Sequence, residues 1–267
     1  MPEWLEILRE CSKNIQKNVY PLLKKPQNQT SYGKGSGGDT TYQIDRTAEN
    51  TIINTIKHYD IPFTLISEEA GTKKIGKNPQ HYVTTDPIDG TTNATRGIPF
   101  MATSLAVSKK PYLNQIETAL ITDLYHNVTY TAKRGKGAYR NGARMRPSEL
   151  QSLNEAIIGI DFTHKAWEIA TRLRSMLEQT KHLRHLGANS LELCYVADGT
   201  TDGFIDLRGK LRTTDVAAAY LILKEAGGTI TTLEGKELNA ELAPLQRVSF
   251  IAAGNKRLHE IIMEQVK

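Results

Sequence analysis

Thr84-Thr85-Asp86-Pro87-Ile88-Asp89-Gly90-Thr91-Thr92-Asn93 is the stretch on which the reading of this chain turns. Two carboxylates three residues apart are followed at once by a glycine and two hydroxyls, behind a short apolar segment ending at Val83. Hard divalent cations such as Mg2+ take oxygen ligands and rarely find them all in one place. Phosphate takes backbone N–H groups, which a glycine and the first turn of a helix present. These ten residues offer both kinds of group. Pro87 biases Asp86 towards an extended backbone and removes an N–H that would need a partner. A turn at Ile88 would then aim Asp86 and Asp89 at one point, with the Ile88 carbonyl beside them. Gly90-Thr91-Thr92 would expose amides to a phosphate and leave the Thr91 hydroxyl free to orient a water. A plain Pro-Asp-Gly type of turn is the alternative. Such a turn has no use for a second carboxylate or for flanking threonines.

At 267 residues the chain makes one large domain or two medium ones, with ample material for a core. Hydrophobic content of 39% and charged content of 24% are those of an ordinary globular protein. The net charge of +5 favours small anionic partners. Nucleic acid is disfavoured because the basic residues are scattered, and pairs such as Lys73-Lys74 and Lys133-Arg134 read as solvated loops. No apolar run approaches the length of a membrane span. Residues 1–8 carry acids and a tryptophan where a signal peptide has a basic start and an apolar core, so the expected setting is the cytoplasm. Cys11 and Cys194 both lie in apolar helical patterns and read as buried thiols, without a disulfide framework.

Along the chain, Trp4, Leu8, Cys11, Ile15 and Val19 recur at helical spacing until Pro21, which is expected to stop the helix. Residues 30–39 are rich in glycine and serine: either a flexible linker or a mobile loop that delivers Asp39 to a site. A second helix is expected over 45–59, and Phe63–Ser67 as a strand, with Glu68-Glu69 at its exit and a polar loop over 71–81. Strands follow at 101–107, 116–122 and 128–132, then a hairpin turning at Asn141-Gly142. Strands in succession argue for an antiparallel sheet. From about residue 150 the texture alternates: a strand at 156–160, a helix with Trp167, Ala170, Leu173 and Leu177 on one face, and a strand at 183–186. A helix around 191–197, a strand at 204–207 and a helix at 216–226 come next. Strands at 229–232 and 250–253 and a last helix from Asn255 complete the chain. Asp215, at the start of a helix, could equally be a simple N-cap.

Asp86-Pro-Ile-Asp-Gly-Thr-Thr-Asn93, with Glu68-Glu69 upstream and Thr214-Asp215-Val-Ala-Ala-Ala-Tyr through Gly228 downstream, resembles the inositol monophosphatase superfamily. The match narrows with Gly38-Asp39-Thr-Thr and Asp45, Gly135 to Gly142, Gly187 to Gly199, and Phe204-Ile-Asp-Leu-Arg-Gly-Lys-Leu-Arg212. Together these are similar to the archaeal-type enzymes that act as both fructose-1,6-bisphosphatase and inositol-1-phosphatase, over nearly the whole chain. The resemblance implies an α+β fold, a layered α-β-α-β-α sandwich of the sugar phosphatase type. A mostly antiparallel sheet belongs to residues 1–150 and a smaller mixed sheet to residues 151–267. It implies two or three Mg2+ ions, replaceable by Mn2+. One would sit on Glu68, Asp86 and the Ile88 carbonyl, and a second on Asp86, Asp89 and Asp215. Asp39 would go with a third, weaker metal, and Asp39, Glu68 and Thr91 with preparation of the attacking water. Asp89, Gly90 and Thr91 would hold the phosphate, and Arg184, Asn189 and Arg208 the rest of the substrate.

This sequence departs from the pattern in three places. Thr214 stands where the animal inositol phosphatases carry a tryptophan, and Arg208 where they carry an acid. Both changes favour a substrate with additional negative charge. Asn189 stands where a close archaeal relative has an aromatic. The expected reaction is direct in-line attack of a metal-activated water on a phosphate monoester, a dianion that otherwise repels hydroxide. The expected partner is a small phosphorylated molecule, with no nucleic acid and no membrane, and the expected assembly is a homodimer. A 3′-phosphoadenosine-5′-phosphate or NADP phosphatase of the same superfamily is the alternative. A haloacid-dehalogenase type of phosphatase fits less well, because its paired aspartates lie two residues apart and these lie three apart.

Overall fold

The computed structural model describes residues 3–23, 30–38 and 40–266. Asp39 lies outside the described residues. The chain opens with helix α1 (Trp4–Leu23), whose buried stripe of Ile7, Leu8, Cys11, Ile15 and Val19 follows helical spacing. The helix runs through Pro21 rather than stopping before it. In the last turn a proline removes only one hydrogen bond, which the packing of the stripe outweighs. Strands β1 (Ser31–Lys34) and β2 (Thr40–Tyr42) pair antiparallel, so the glycine-rich segment is the loop of a hairpin. That loop is docked: the Ser36 and Gly37 N–H groups donate to the Glu69 and Glu68 carbonyls at 3.1 and 2.6 Å.

Helix α2 (Gln43–Lys57) follows, then an eight-stranded sheet. Its strands are β3 (Phe63–Ser67), β4 (Gly71–Ile75), β5 (His81–Asp89), β6 (Ala102–Ser108), β7 (Ile116–Asp123), β8 (Val128–Lys133), β9 (Ala138–Arg140) and β10 (Ala143–Arg144). Their spatial order is β10-β9-β8-β7-β6-β5-β3-β4. Every neighbouring pair is antiparallel except β3 and β5. The polar stretch expected as a loop at 71–81 is in part the edge strand β4, whose exposed Thr72, Lys73 and Lys74 suit an edge that must not recruit another strand. The β9–β10 turn places Asn141 and Gly142 at φ 49° and 83°, the left-handed conformation that an Asn-Gly turn supplies.

The second sheet has five strands in the order β12-β11-β13-β15-β14. These are β11 (Ile157–Ile160), β12 (His182–Arg184), β13 (Gly203–Arg212), β14 (Thr229–Thr231) and β15 (Arg247–Ala253). It is mixed, with β11 parallel to β12 and β13 and β15 antiparallel to β13 and β14. Its helices are α4 (Ala166–Arg172), α5 (Arg174–Gln179), α6 (Asn189–Ala197), α7 (Thr213–Ala226) and α8 (Lys256–Gln265), while the short α3 (Thr91–Arg96) follows β5. The stripe expected around Trp167 is rotated. The helix breaks at Leu173, the buried residues are Ile169, Leu173 and Met176, and Trp167 is 85% exposed.

Alternation along the strands sorts the core into layers. Leu65, Leu105, Val107 and Leu120 pack with α1 and α2 on the outer face of the large sheet. Ile66, Ala102, Ala106, Ala119 and Ile121 face the other way, against α6 and α7. Those two helices meet Phe204, Phe250 and Ala252 of the small sheet on their far side. Ile158, Ile160, Ile205 and Ile251 then cover α4, α5 and α8. The result is the α-β-α-β-α sandwich that the resemblance implied. Helix α7 is buried continuously from Thr213 to Leu223. A helix pressed between two sheets has no solvent face, which explains its Ala217-Ala218-Ala219 run and its apolar residues all round.

Candidate active site

The large sheet delivers its acids through a bulge. Asp86 pairs with Ser104 and Asp89 with Ala102, so three steps along β5 oppose two along β6. In a regular strand, residues three apart point to opposite faces. The extra residue corrects the parity and brings Asp86 and Asp89 to one side. The freed groups find local partners. The Ile88 N–H donates to Asp86 Oδ1 at 3.1 Å, and the Thr103 hydroxyl donates to the Pro87 carbonyl at 2.7 Å.

Among the described residues, one set of acids is placed to hold a metal. Glu68, Asp86 and Asp215 each direct an oxygen so that all three lie within 4.8 Å of one another. Glu68 sits just beyond β3, Asp86 in the bulge, and Asp215 at the third position of α7. Asp215 is therefore not the N-cap. It accepts the Arg212 N–H at 3.2 Å and the Thr214 hydroxyl at 3.0 Å, and keeps its carboxylate at the mouth of the cluster. Burial pushes the Asp86 and Glu68 carboxyls well above the usual range. Mutual repulsion adds to the burial effect, and the Arg212 guanidinium works against it in both. Glu68 Oε2 is buried without a hydrogen-bond donor. Its counter-charge is Arg212 Nη2 at 2.5 Å, and three buried carboxylates sharing that one guanidinium fit a hard cation.

Asp89 is held differently. Its oxygens accept the Asn189 N–H at 3.1 Å, the Ser190 N–H at 2.7 Å and the Ser190 hydroxyl at 2.6 Å, so it faces the first turn of α6. Burial raises its pKa to about 7 against the pull of those bonds. Gly90 has φ 87°, and a Cβ there would lie 3.1 Å from the Ala188 Cβ and the Phe100 carbonyl. The tight passage lets α3 begin at Thr91 with its first amides free of helical partners, as at any helix start. The Thr91 hydroxyl lies 2.9 Å from the Ile88 carbonyl and 3.2 Å from Asp45 Oδ1. Burial lifts the Asp45 pKa to about 7, moderated by the Tyr42 N–H.

A cavity of about 410 Å³ collects these groups: Glu68, Asp86, Ile88, Asp89, Gly90, Thr91 and Asp215 all line it, with Asn189 and Arg208 on its far side. A second cavity of about 620 Å³ shares the wall formed by Thr92, Asn189, Arg208, Arg212 and Asp215 and adds Lys210 and Arg247. Arg208 and Lys210 reach it because β13 is irregular between Asp206 and Leu211, with Gly209 at φ 63°. Arg184 lines neither cavity. It is exposed on the edge strand β12 and donates to the Leu183 carbonyl.

Several functional neighbours escaped sequence reasoning. Arg208 is clamped: Nε and Nη2 donate to Asp206 Oδ2 at 3.0 and 2.5 Å, and Nη1 lies 2.7 Å from Asp161 Oδ2. Arg212 reaches Glu68 and Asp215. Asn93 ties the loops of α3 and α6 together, donating to the Phe100 and Leu186 carbonyls at 2.8 Å. The Asp206–Arg208 spacing is visible in the sequence. Asp161 and Arg212 become neighbours of the site only through the sheet.

A set of buried oxygens beside a glycine-led helix start is able to hold a metal ion and offers groups that a phosphate takes. The chain belongs to the inositol monophosphatase family, whose model matches residues 3–267. It is 34% identical over 266 residues to a fructose-1,6-bisphosphatase/inositol-1-monophosphatase of Thermococcus kodakarensis, covering 99% of this chain and 97% of that one. It is also 34% identical to a bifunctional NADP phosphatase/NAD kinase of Methanococcus maripaludis, covering 97% of this chain and 48% of that one. A crystal structure described as an inositol monophosphatase–fructose 1,6-bisphosphatase superposes with a TM-score of 0.87 at 32% identity, covering 99% of this chain and all of that one. No helix among the described residues is long and apolar enough to cross a membrane.

Proposed function

We propose that the protein is a Mg2+-dependent phosphoric monoester hydrolase acting on fructose-1,6-bisphosphate, to give fructose-6-phosphate, and on inositol-1-phosphate. The observation that carries this reading is the Glu68–Asp86–Asp215 cluster, open to the same cavity as Gly90 and Thr91. The sugar and inositol substrates are supported by the names of the most similar archaeal relatives. Two or three Mg2+ ions are expected there, with Mn2+ able to replace them, because an all-oxygen donor set suits both cations. When bound, such a cation supplies charge neutralisation of the phosphate and lowers the pKa of a water.

The chain's own groups do the rest. Asp89, Gly90, Thr91 and Thr92 line the cavity, and the amides at the start of α3 are assigned to the non-bridging phosphate oxygens. Asp45, as a carboxylate, holds the Thr91 hydroxyl proton, which turns the Thr91 lone pairs towards a water in the cavity. Glu68 is assigned the uptake of that water's proton, and Asp39 a share in preparing it. Asn189 and Arg208 orient the remainder of the substrate from the far wall. Neither cysteine competes as a nucleophile. Both are buried in the core, and burial lifts the Cys11 thiol to about 12. Direct attack of water follows, with no covalent enzyme intermediate. Arg184 is assigned to the substrate by resemblance, and the same reading expects a cytoplasmic homodimer, which light scattering of the purified chain checks.

The NADP phosphatase reading keeps support from the similarity to the bifunctional relatives. Among the described residues, Tyr42 of the inner cavity and His164 of the outer one are the rings that a nucleotide base would have to stack on. Phosphate release from fructose-1,6-bisphosphate, inositol-1-phosphate, 3′-phosphoadenosine-5′-phosphate and NADP, with Mg2+ and with EDTA, separates the two. Turnover confined to the nucleotides would replace the sugar assignment, and turnover undiminished by EDTA would remove the metal.

A further inference from the structure

Two arginines project into the site from one strand, and they are held in contrasting ways. Arg208 is fixed by aligned hydrogen bonds to Asp206 and an ion pair with Asp161, both carboxylates buried. Arg212 lies against the metal cluster itself. Its Nη2 is 2.5 Å from Glu68 Oε2, and its Nε is 3.2 and 3.3 Å from the two Asp215 oxygens. Two of the three carboxylates that converge within 4.8 Å thus spend their lone pairs on one guanidinium. The contact with Glu68 is a matter of charge alone, since Glu68 Oε2 has no aligned donor. That contact lacks the alignment of the Nε and Nη2 bonds that hold Arg208 on Asp206 Oδ2, while the Nε bonds to Asp215 are the ones an incoming cation must break.

The surroundings leave the guanidinium somewhere to go. Arg212 lines both cavities, so a turn of its side chain carries it from the carboxylates into the outer one. That cavity is walled by Arg208, Lys210 and Arg247 and welcomes an anion. The glycine loop is cut to fit the inner position, since a Cβ on Gly37 would lie 2.9 Å from Arg212 Nη1 and 3.2 Å from the Glu68 Cβ. We propose that Arg212 is a tethered counter-cation: in the metal-free chain it stands in for the divalent ion on Glu68 and Asp215. Metal binding displaces it into the outer cavity, where its charge serves the distal part of an anionic substrate. The proposal rests on the reading of the cluster as a metal site. It makes Arg212 a positioning residue whose pairing with the carboxylates belongs to the metal-free state.

The test compares wild-type chain, Arg212→Gln and Arg212→Lys, stripped with EDTA, by calorimetric titration with Mn2+ and by thermal unfolding with and without saturating Mn2+. Removing the competitor should tighten Mn2+ binding in Arg212→Gln by about tenfold. The metal-free Tm should fall by about 2–4 °C while the Mn2+-loaded Tm holds or rises, widening the gap between them. Arg212→Lys keeps the charge but loses the Nε contact, and should fall between the other two. If Arg212→Gln does not fold without metal, the lysine variant carries the same two comparisons against wild type. Equal falls in both Tm values with an unchanged Mn2+ affinity would overturn the proposal and make Arg212 a fixed structural pair. A wild-type chain that binds no Mn2+ would overturn the metal reading as well.

Discussion

Replacing Asp45 with asparagine tests the role of a carboxyl that sits behind the site and not in its metal cluster. Asp45 is 2% exposed, accepts the Tyr42 N–H at 2.6 Å and faces the Thr91 hydroxyl. Burial raises its pKa from 3.8 to about 7. Each pKa unit is worth about 1.4 kcal/mol, so this passage corresponds to ~4 kcal/mol. An acid whose pKa is higher in the folded state stabilises that state fully below pH 4, while it is protonated in both states. The contribution is lost as pH rises to 7, because the unfolded chain ionises first. Urea unfolding of the metal-free wild type should therefore weaken between pH 4 and 7. Asp89 and Glu192, both lifted to about 7 by burial, contribute in the same direction. Asp45→Asn keeps an acceptor for Tyr42 but has no proton to lose, so its profile should be flatter by about 1.4 kcal/mol per pH unit over that window. In the same variant the Thr91 proton loses its charged acceptor, and kcat should drop by about 10²- to 10⁴-fold. Superimposable stability profiles for wild type and Asp45→Asn would refute the assigned pKa, and an unchanged kcat would refute the link through Thr91.

Three further outcomes follow from geometry already described. Asp86→Asn should abolish Mg2+-dependent phosphate release while circular dichroism stays that of a folded chain, because Asp86 supplies one of the three carboxylates of the cluster. Gly90→Ala forces a left-handed φ of 87° on a side chain that meets Ala188 and the Phe100 carbonyl, and should cost about 1–3 kcal/mol in urea unfolding along with most phosphate release. Arg208→Ala strands Asp206 and Asp161 and should cost about 3–5 kcal/mol. It should also weaken kcat/KM for fructose-1,6-bisphosphate more than for inositol-1-phosphate, and equal losses would remove the reason for assigning Arg208 to a second anionic group.

Strands in succession up to about residue 150 and helices recurring between strands after it were legible in the sequence, while the layering itself came from the resemblance. Trp167 was misplaced because Ile169, Leu173 and Met176 form the buried stripe in one helical phase, and only Leu173 belongs to both that stripe and the expected one. Asp86 and Asp89 could be read as partners from Pro87, but the bulge that unites them depends on the pairing of β5 with β6. Glu68 and Asp215 entered through motif resemblance, since no local rule connects residues 147 positions apart. The reading of Arg208 as a charge for the substrate could not foresee Asp161, which follows β11 and, with Asp206, fixes where the guanidinium points. Charge in a site is a property of the neighbourhood, and the neighbourhood is tertiary.

Helix α7 lies between the two sheets, and its first turn carries Asp215, while Glu68 and Asp86 come from the large sheet. The three carboxylates are thus drawn from both sides of one closed interface, the large sheet and α7. A chain in which α7 has yet to dock on that sheet holds at most part of the set. Cation affinity would therefore register that docking, and an ion bound there would act as a rivet through two layers.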